Sequence, residues 1–135
     1  MKKLLISLTC LSFAGCAANP AVYGTVKQNY RPKGEDKPLS IESRLVVKQN
    51  LLDKDFGVLF NVDNKMQLAF NLDQHGNGSL SCTTPQIDTK GGFMCEPHNG
   101  HKIGASCMGS TANGRFASTQ CSFTYDDEIA ANFKF

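Results

Sequence analysis

Residues 56–72 read FGVLFNVDNKMQLAFNL, and their alternation decides the fold class. Phe56, Val58, Phe60 and Val62 fall on one face of an extended chain, and Met66, Leu68, Phe70 and Leu72 supply an answering apolar face. Asp63-Asn64-Lys65 between them carries the residue types that tolerate a tight reversal. A period of two on both sides of a turn specifies an antiparallel hairpin with one buried face. Helix is absent from this reading, because the apolar residues are organised by the period of two on either side of the turn.

The same pattern extends outward in both directions. Upstream, Ile41, Ser43, Leu45 and Val47 alternate with Glu42, Arg44, Val46 and Lys48, as in a half-buried strand. Downstream, Asp73 to Gly78 is a polar turn, and Ser79 to Cys82 begins another strand. Short strands follow at Gly92 to Glu96, Lys102 to Cys107, Gly114 to Tyr125 and Ala131 to Phe135. Lys27 to Leu39 is rich in charge, proline and glycine and reads as a polar loop. The expectation is therefore an all-β domain over residues 40–135, built as a small antiparallel barrel or a two-layer sandwich. Residues 16–39 read as a tether and polar segment, with Ala21 to Val26 as a candidate first strand.

The N-terminus has a different character. Lys2 and Lys3 precede a short apolar run from Leu4 to Phe13, and Ala14-Gly15 are the small residues a signal peptidase requires before Cys16. The stretch MKKLLISLTCLSFAGC resembles a bacterial lipoprotein signal. The resemblance implies that residues 1–15 are removed and that Cys16 becomes the lipid-bearing first residue. It also implies membrane attachment through lipid, and Ala17 after the cysteine favours the outer membrane, where the periplasmic face is the expected one and surface exposure the alternative. No later stretch approaches the roughly 18 consecutive apolar residues of a membrane helix.

Removing Lys2 and Lys3 with the signal leaves 12 basic against 12 acidic residues. A neutral chain lacks the electrostatic footprint of a nucleic-acid binder, so no nucleic-acid partner is expected. Cys10 leaves with the signal, and Cys16 is assigned to lipid, so Cys82, Cys95, Cys107 and Cys121 remain in the domain. An even number in an exported chain reads as two disulfides. Three pairings are open. Cys82 with Cys95 and Cys107 with Cys121 is favoured, because each pair brackets a polar, glycine-containing segment that can return the chain to a neighbouring strand.

Several constellations invite a chemical reading. Cys95, His98, His101 and Cys107 offer four zinc ligands in 13 residues, but without a Cys-x2-Cys knuckle, and disulfide pairing would consume the thiols. Asp73-x2-Gly-Asn-Gly lacks the closing glutamate of a calcium loop. Ser106 lies outside any Gly-x-Ser-x-Gly elbow, and His75 sits in a polar turn. No catalytic residue, metal or cofactor is therefore assigned, and the chain is expected not to be an enzyme. His98, His101, Arg115 and Phe116 are the candidate binding-loop residues. The reading that follows is a non-enzymatic envelope lipoprotein presenting a β-domain to a protein or wall component. A periplasmic inhibitor or ligand-binding module and a structural part of an envelope assembly are the alternatives.

Overall fold

The hairpin at residues 56–72 folds around Asp63 and Asn64, both at positive φ, which gives the two-residue turn whose twist matches antiparallel strands. The computed structural model describes residues 21–49 and 54–135; the signal-like segment and Cys16 lie outside them. Ten strands follow in order: β1 (Ala21–Tyr30), β2 (Leu39–Gln49), β3 (Lys54–Val62), β4 (Lys65–Leu72), β5 (Gly78–Cys82), β6 (Gln86–Asp88), β7 (Phe93–Cys95), β8 (Ile103–Ala112), β9 (Arg115–Tyr125) and β10 (Glu128–Lys134). They form two antiparallel sheets, ordered β1-β2-β3-β4-β7-β6 and β10-β9-β8-β5. Of the two architectures expected, the chain adopts the two-layer sandwich, and the sheets do not close into a barrel.

The alternating residues fill the space between the layers. Ile41, Leu45, Val58, Phe60 and Leu68 come from the larger sheet, and Ile103, Cys121, Phe123 and Phe133 from the smaller. Phe60 is fully buried at the centre, with ring centroids 5.5 Å from Phe123 and 5.9 Å from Phe133 of the opposite sheet. Burying such side chains contributes roughly 2–3 kcal/mol each and locks the layers together.

Three local differences from the sequence pattern have one physical cause, an extra residue in a strand. Phe60 pairs with Leu68 but Asn61 with Met66, so Gln67 is the extra residue of a bulge. Met66 therefore turns to solvent, 45% exposed, while Gln67 is buried. A bulge between Ser118 and Phe116 likewise returns Phe116 to the core side, where its ring packs 4.4 Å from Phe56. Ala130 is the third extra residue, between Ile129 and Ala131. Strand β1 also continues past Val26 to Tyr30, which shortens the expected polar loop to residues 31–38.

The two disulfides join Cys82 to Cys95 and Cys107 to Cys121. They do different mechanical jobs. Cys107 and Cys121 face each other in register on β8 and β9, so that bridge lies within the smaller sheet. Cys82 on β5 and Cys95 on β7 belong to different sheets, so their bridge staples one side of the sandwich. At the other side, the Gln28 side chain from β1 takes the place of a peptide group. Its amide donates to the Asn132 carbonyl and its oxygen accepts from the Asn132 N–H, 3.1 Å away, which joins β1 to the edge of β10.

Candidate functional site

The expected binding-loop residues occupy two places. His98 and His101 flank a tight turn in which Asn99 and Gly100 have φ of 49° and 80°, and their backbones pair in both directions at 3.1 and 2.9 Å. Arg115 and Phe116 start β9, whereas Tyr125, which touches both histidines, ends it. Ten residue steps of extended chain separate the two places by roughly 30 Å. They do not form one loop.

At the histidine end, both imidazoles are fixed by their Nδ1 atoms. His98 Nδ1 donates to Gln67 Oε1 at 2.8 Å, and His101 Nδ1 donates to Asp126 Oδ2 at 2.7 Å. The bulge at Gln67 is what presents that oxygen, and the Tyr125–Glu128 turn, with Asp126 and Asp127 both at positive φ, presents the carboxylate. Tyr125 is nearly buried between the rings, with centroids 5.0 Å from His101 and 6.2 Å from His98. Burial, followed by the negative charge of Asp126, pushes its phenol up to about 12.

The cluster continues across the seam between the sheets. The Tyr30 ring is tilted against Tyr125 with centroids 6.0 Å apart, and its hydroxyl donates to Glu128 Oε2 at 3.1 Å, while Lys33 lies 3.2 Å from Glu128 Oε1. These bonds to Lys33 and Tyr30 hold the Glu128 carboxyl below its ordinary value. Lys102 completes the arrangement, 2.7 Å from Asp127. The result is a rigid tip whose outermost residues, Asn99 and Gly100, are exposed. The histidine rings brace it, and such exposed ion pairs add less than about 1 kcal/mol each.

The set Cys95, His98, His101 and Cys107 does not converge, because each cysteine is committed to its own disulfide. Among the described residues no group of three or more His, Cys, Asp or Glu side chains could hold a metal ion. Asp73 serves its own loop, accepting from the Asn77 and His75 N–H groups at 2.9 and 2.8 Å, and these bonds keep its carboxyl below the usual range. Ser106 lies exposed on mid-strand of β8, without the strand-to-helix turn that activates a serine nucleophile.

Sequence reasoning missed a groove of about 410 Å³ on the outer side of the larger sheet. Its floor is Val46, Gly57, Leu59 and Ala69, and Lys48 and Asn71 stand on its rim. Register extends the floor into an apolar row, because Leu59 pairs with Ala69, Ala69 with Met94, and Met94 with Ile87. Ile87 is 69% exposed. The signal in the sequence was Val46, Leu59 and Ala69 at positions alternating with the core residues, where a solvated face would carry polar side chains. The missed strand β6 supplies the end of the row. Comparison of the chain with protein-family models, with curated proteins and with solved structures finds no match.

Proposed function

We propose that this chain is a lipid-anchored protein of a bacterial envelope whose disulfide-stabilised sandwich binds a protein or wall component without catalysing a reaction. The observation that carries the binding role is the apolar row Leu59–Ala69–Met94–Ile87 on the outer side of the larger sheet. A sandwich with no partner would present polar side chains there, and a contiguous apolar surface marks an interaction site. Export is supported by two cystine bridges, which persist in oxidising compartments, together with the lipoprotein-like signal ending at Cys16.

The anchor would also orient the domain. Cys16 precedes Ala21 by five residues, a reach of no more than about 18 Å. Ala21 pairs with Val47, so that end of the larger sheet would face the bilayer. Strand β1 runs away from the anchor to Tyr30, and the His98–His101 tip would stand on the far side of the domain. A periplasmic location on the outer membrane gives the tip access to soluble and wall-bound partners.

A second reading, inhibition of an envelope enzyme or capture of a ligand, is favoured by that tip. A two-residue turn held at both flanking histidines can enter a concave site with little ordering cost. Chemical crosslinking of the lipidated protein in native envelopes tests both readings. Leu59→Lys should abolish recovery of the partner if the groove binds, and Asn99→Ala with Gly100→Ala should do so if the tip binds. Recovery unchanged by either variant refutes both surfaces. Intact mass of the membrane-extracted chain tests the anchor, and an N-terminus other than acylated Cys16 refutes it.

A further inference from the structure

The outer sides of the two sheets differ in chemistry. The larger sheet carries charge on its outer side, where Lys48 pairs with Asp55 and Arg44 pairs with Leu59 across β2 and β3. The smaller sheet carries almost none. Its central row is Ser79, Ser106, Ser122 and Asn132 across all four strands. Ser81 and Thr124 flank the row on one side, with Gly104 between them. On the other side Met108 pairs with Gln120 and Gln120 with Lys134, and Ser110 pairs with Ser118. Lys134 is the one charged residue in these rows.

Strand propensity does not account for this choice. Solvent-facing strand positions favour threonine, valine and aromatic residues, and serine contributes little there. A sheet exposed to water is usually protected by charges. Here short hydroxyls make a flat surface of paired donors and acceptors, some already bonded to each other: Ser110 to Ser118 at 2.6 Å and Ser122 to Asn132 at 2.8 Å. Short side chains lose little rotamer freedom when a ligand settles on them. Two apolar side chains rise from this surface, Met108 at 76% and Ile129, opposite Thr124, at 63% exposure.

We propose that the outer face of the β10-β9-β8-β5 sheet binds an uncharged polysaccharide chain. Sugar hydroxyls both donate and accept, as the serine, threonine and amide groups of this face do. The C–H faces of sugar rings suit Met108 and Ile129. A polyanion finds only Lys134 in these rows and Arg115 at the start of β9, and a basic partner finds no carboxylate in these rows. The inference rests on the reading of the chain as an envelope binding module and names the class of its wall component. It places that component on the sheet opposite the apolar groove.

The test is co-sedimentation of the intact mature protein, in detergent, with insoluble chitin and with cellulose, using soluble dextran sulfate as a competitor. Adsorption to at least one neutral polymer, undisturbed by dextran sulfate, is expected. Ser106→Glu and Gln120→Glu, both at exposed positions, should each weaken it at least tenfold without lowering thermal stability, and Leu59→Lys should leave it unchanged. Absence of adsorption to both polymers, or adsorption equal in Ser106→Glu and wild type, overturns the proposal. So does a sedimentation shift showing that Ser106→Glu disrupts a dimer while polysaccharide binding persists. Loss of crosslinked protein capture in Leu59→Lys with polysaccharide binding intact separates failure of this inference from failure of the groove reading.

Discussion

Replacing Gly109 with alanine should be among the most damaging single-methyl changes in the domain. A β-carbon on Gly109 would lie 1.7 Å from the His75 carbonyl oxygen and 2.8 Å from Gly76 Cα. Ordinary contact requires about twice the first distance, so the 73–77 loop must lift off β8. Lifting breaks the bond from Gly109 N–H to Asn77 Oδ1 at 2.8 Å and the bond from Thr119 Oγ1 to the Gly76 carbonyl at 2.7 Å. Thr119 is 1% exposed, so its hydroxyl then lacks a partner in a dry place. The exposed bond is worth about 1 kcal/mol and the orphaned hydroxyl about 1–3 kcal/mol. Separating Gly76 from the Phe116 ring adds packing loss. The total is roughly 3–5 kcal/mol, a large share of the stability of a domain this size.

Urea unfolding followed by circular dichroism measures that loss, with an unchanged slope showing that the midpoint shift reports stability. Gly114→Ala provides the control. Gly114 has φ of 73° but nothing within 4 Å of where the alanine methyl would stand, so backbone strain alone applies, about 1–2 kcal/mol. Thr119→Val should cost about 1–2 kcal/mol by stranding the Gly76 carbonyl. The double variant Gly109→Ala/Thr119→Val should cost less than the sum of the two, because both break the same bond. A Gly109→Ala penalty no larger than that of Gly114→Ala would refute the close-approach argument.

The remaining expectations concern the seam, the staples and pH. Removing either disulfide by paired alanine substitution should cost about 3 kcal/mol from loop closure, since the separations are 13 and 14 residues. Hydrogen exchange should nevertheless rise at β5 and β7 for Cys82/Cys95 and at β8 and β9 for Cys107/Cys121; identical exchange maps would refute the different mechanical roles. Gln28→Ala should cost about 1 kcal/mol and expose the Asn132 amide to exchange, whereas a protected Asn132 would show that the seam has another support. Tyr125 ionises near 12 in the fold and near 10 when unfolded, so its contribution is whole below about pH 10 and is lost as pH rises through 12. The loss is of order 1–3 kcal/mol, read from alkaline urea titrations, and Tyr125→Phe should remove that dependence. Asp73 has the opposite sign: its lowered carboxyl contributes above the ordinary range near 4 and loses that contribution on acidification, a dependence that Asp73→Asn should flatten.

The hairpin at Asp63-Asn64, the strand from Ile41 and both cysteine pairings were legible because each depends on local alternation or short separation. Strand β6 was not, since Gln86–Asp88 is three exposed residues beside Pro85 and gains its strand geometry only by pairing with β7. The length of β1 was hidden for a related reason. Lys27 to Tyr30 looks like loop by composition, yet Gln28 and Tyr30 are held by β10 and its turn, more than 90 residues away in sequence. Bulges were the remaining source of difference. One inserted residue reverses every later position, so Met66 and Phe116 exchanged the exposures that strict alternation assigns them.

The candidate surfaces were harder to read than the core because a surface is assembled across strands. Histidines 98 and 101 could be picked out by residue type and by the Asn-Gly between them, but their partners Gln67, Asp126 and Tyr125 come from β4, the β9–β10 turn and β9. The apolar row needs residues from four strands, and the uncharged face needs four strands of the other sheet. Each outward residue is unremarked alone, since single exposed leucines and serines are common. Their meaning comes from register: the pairing that places Leu59 beside Ala69 also excludes it from the core, and the pairing that buries Cys107 against Cys121 turns Ser106 and Ser122 outward together. A one-residue slip in either sheet would therefore move core and binding surface at once, so the interactions that fix register, the bulges and the inter-sheet staple, govern both stability and recognition.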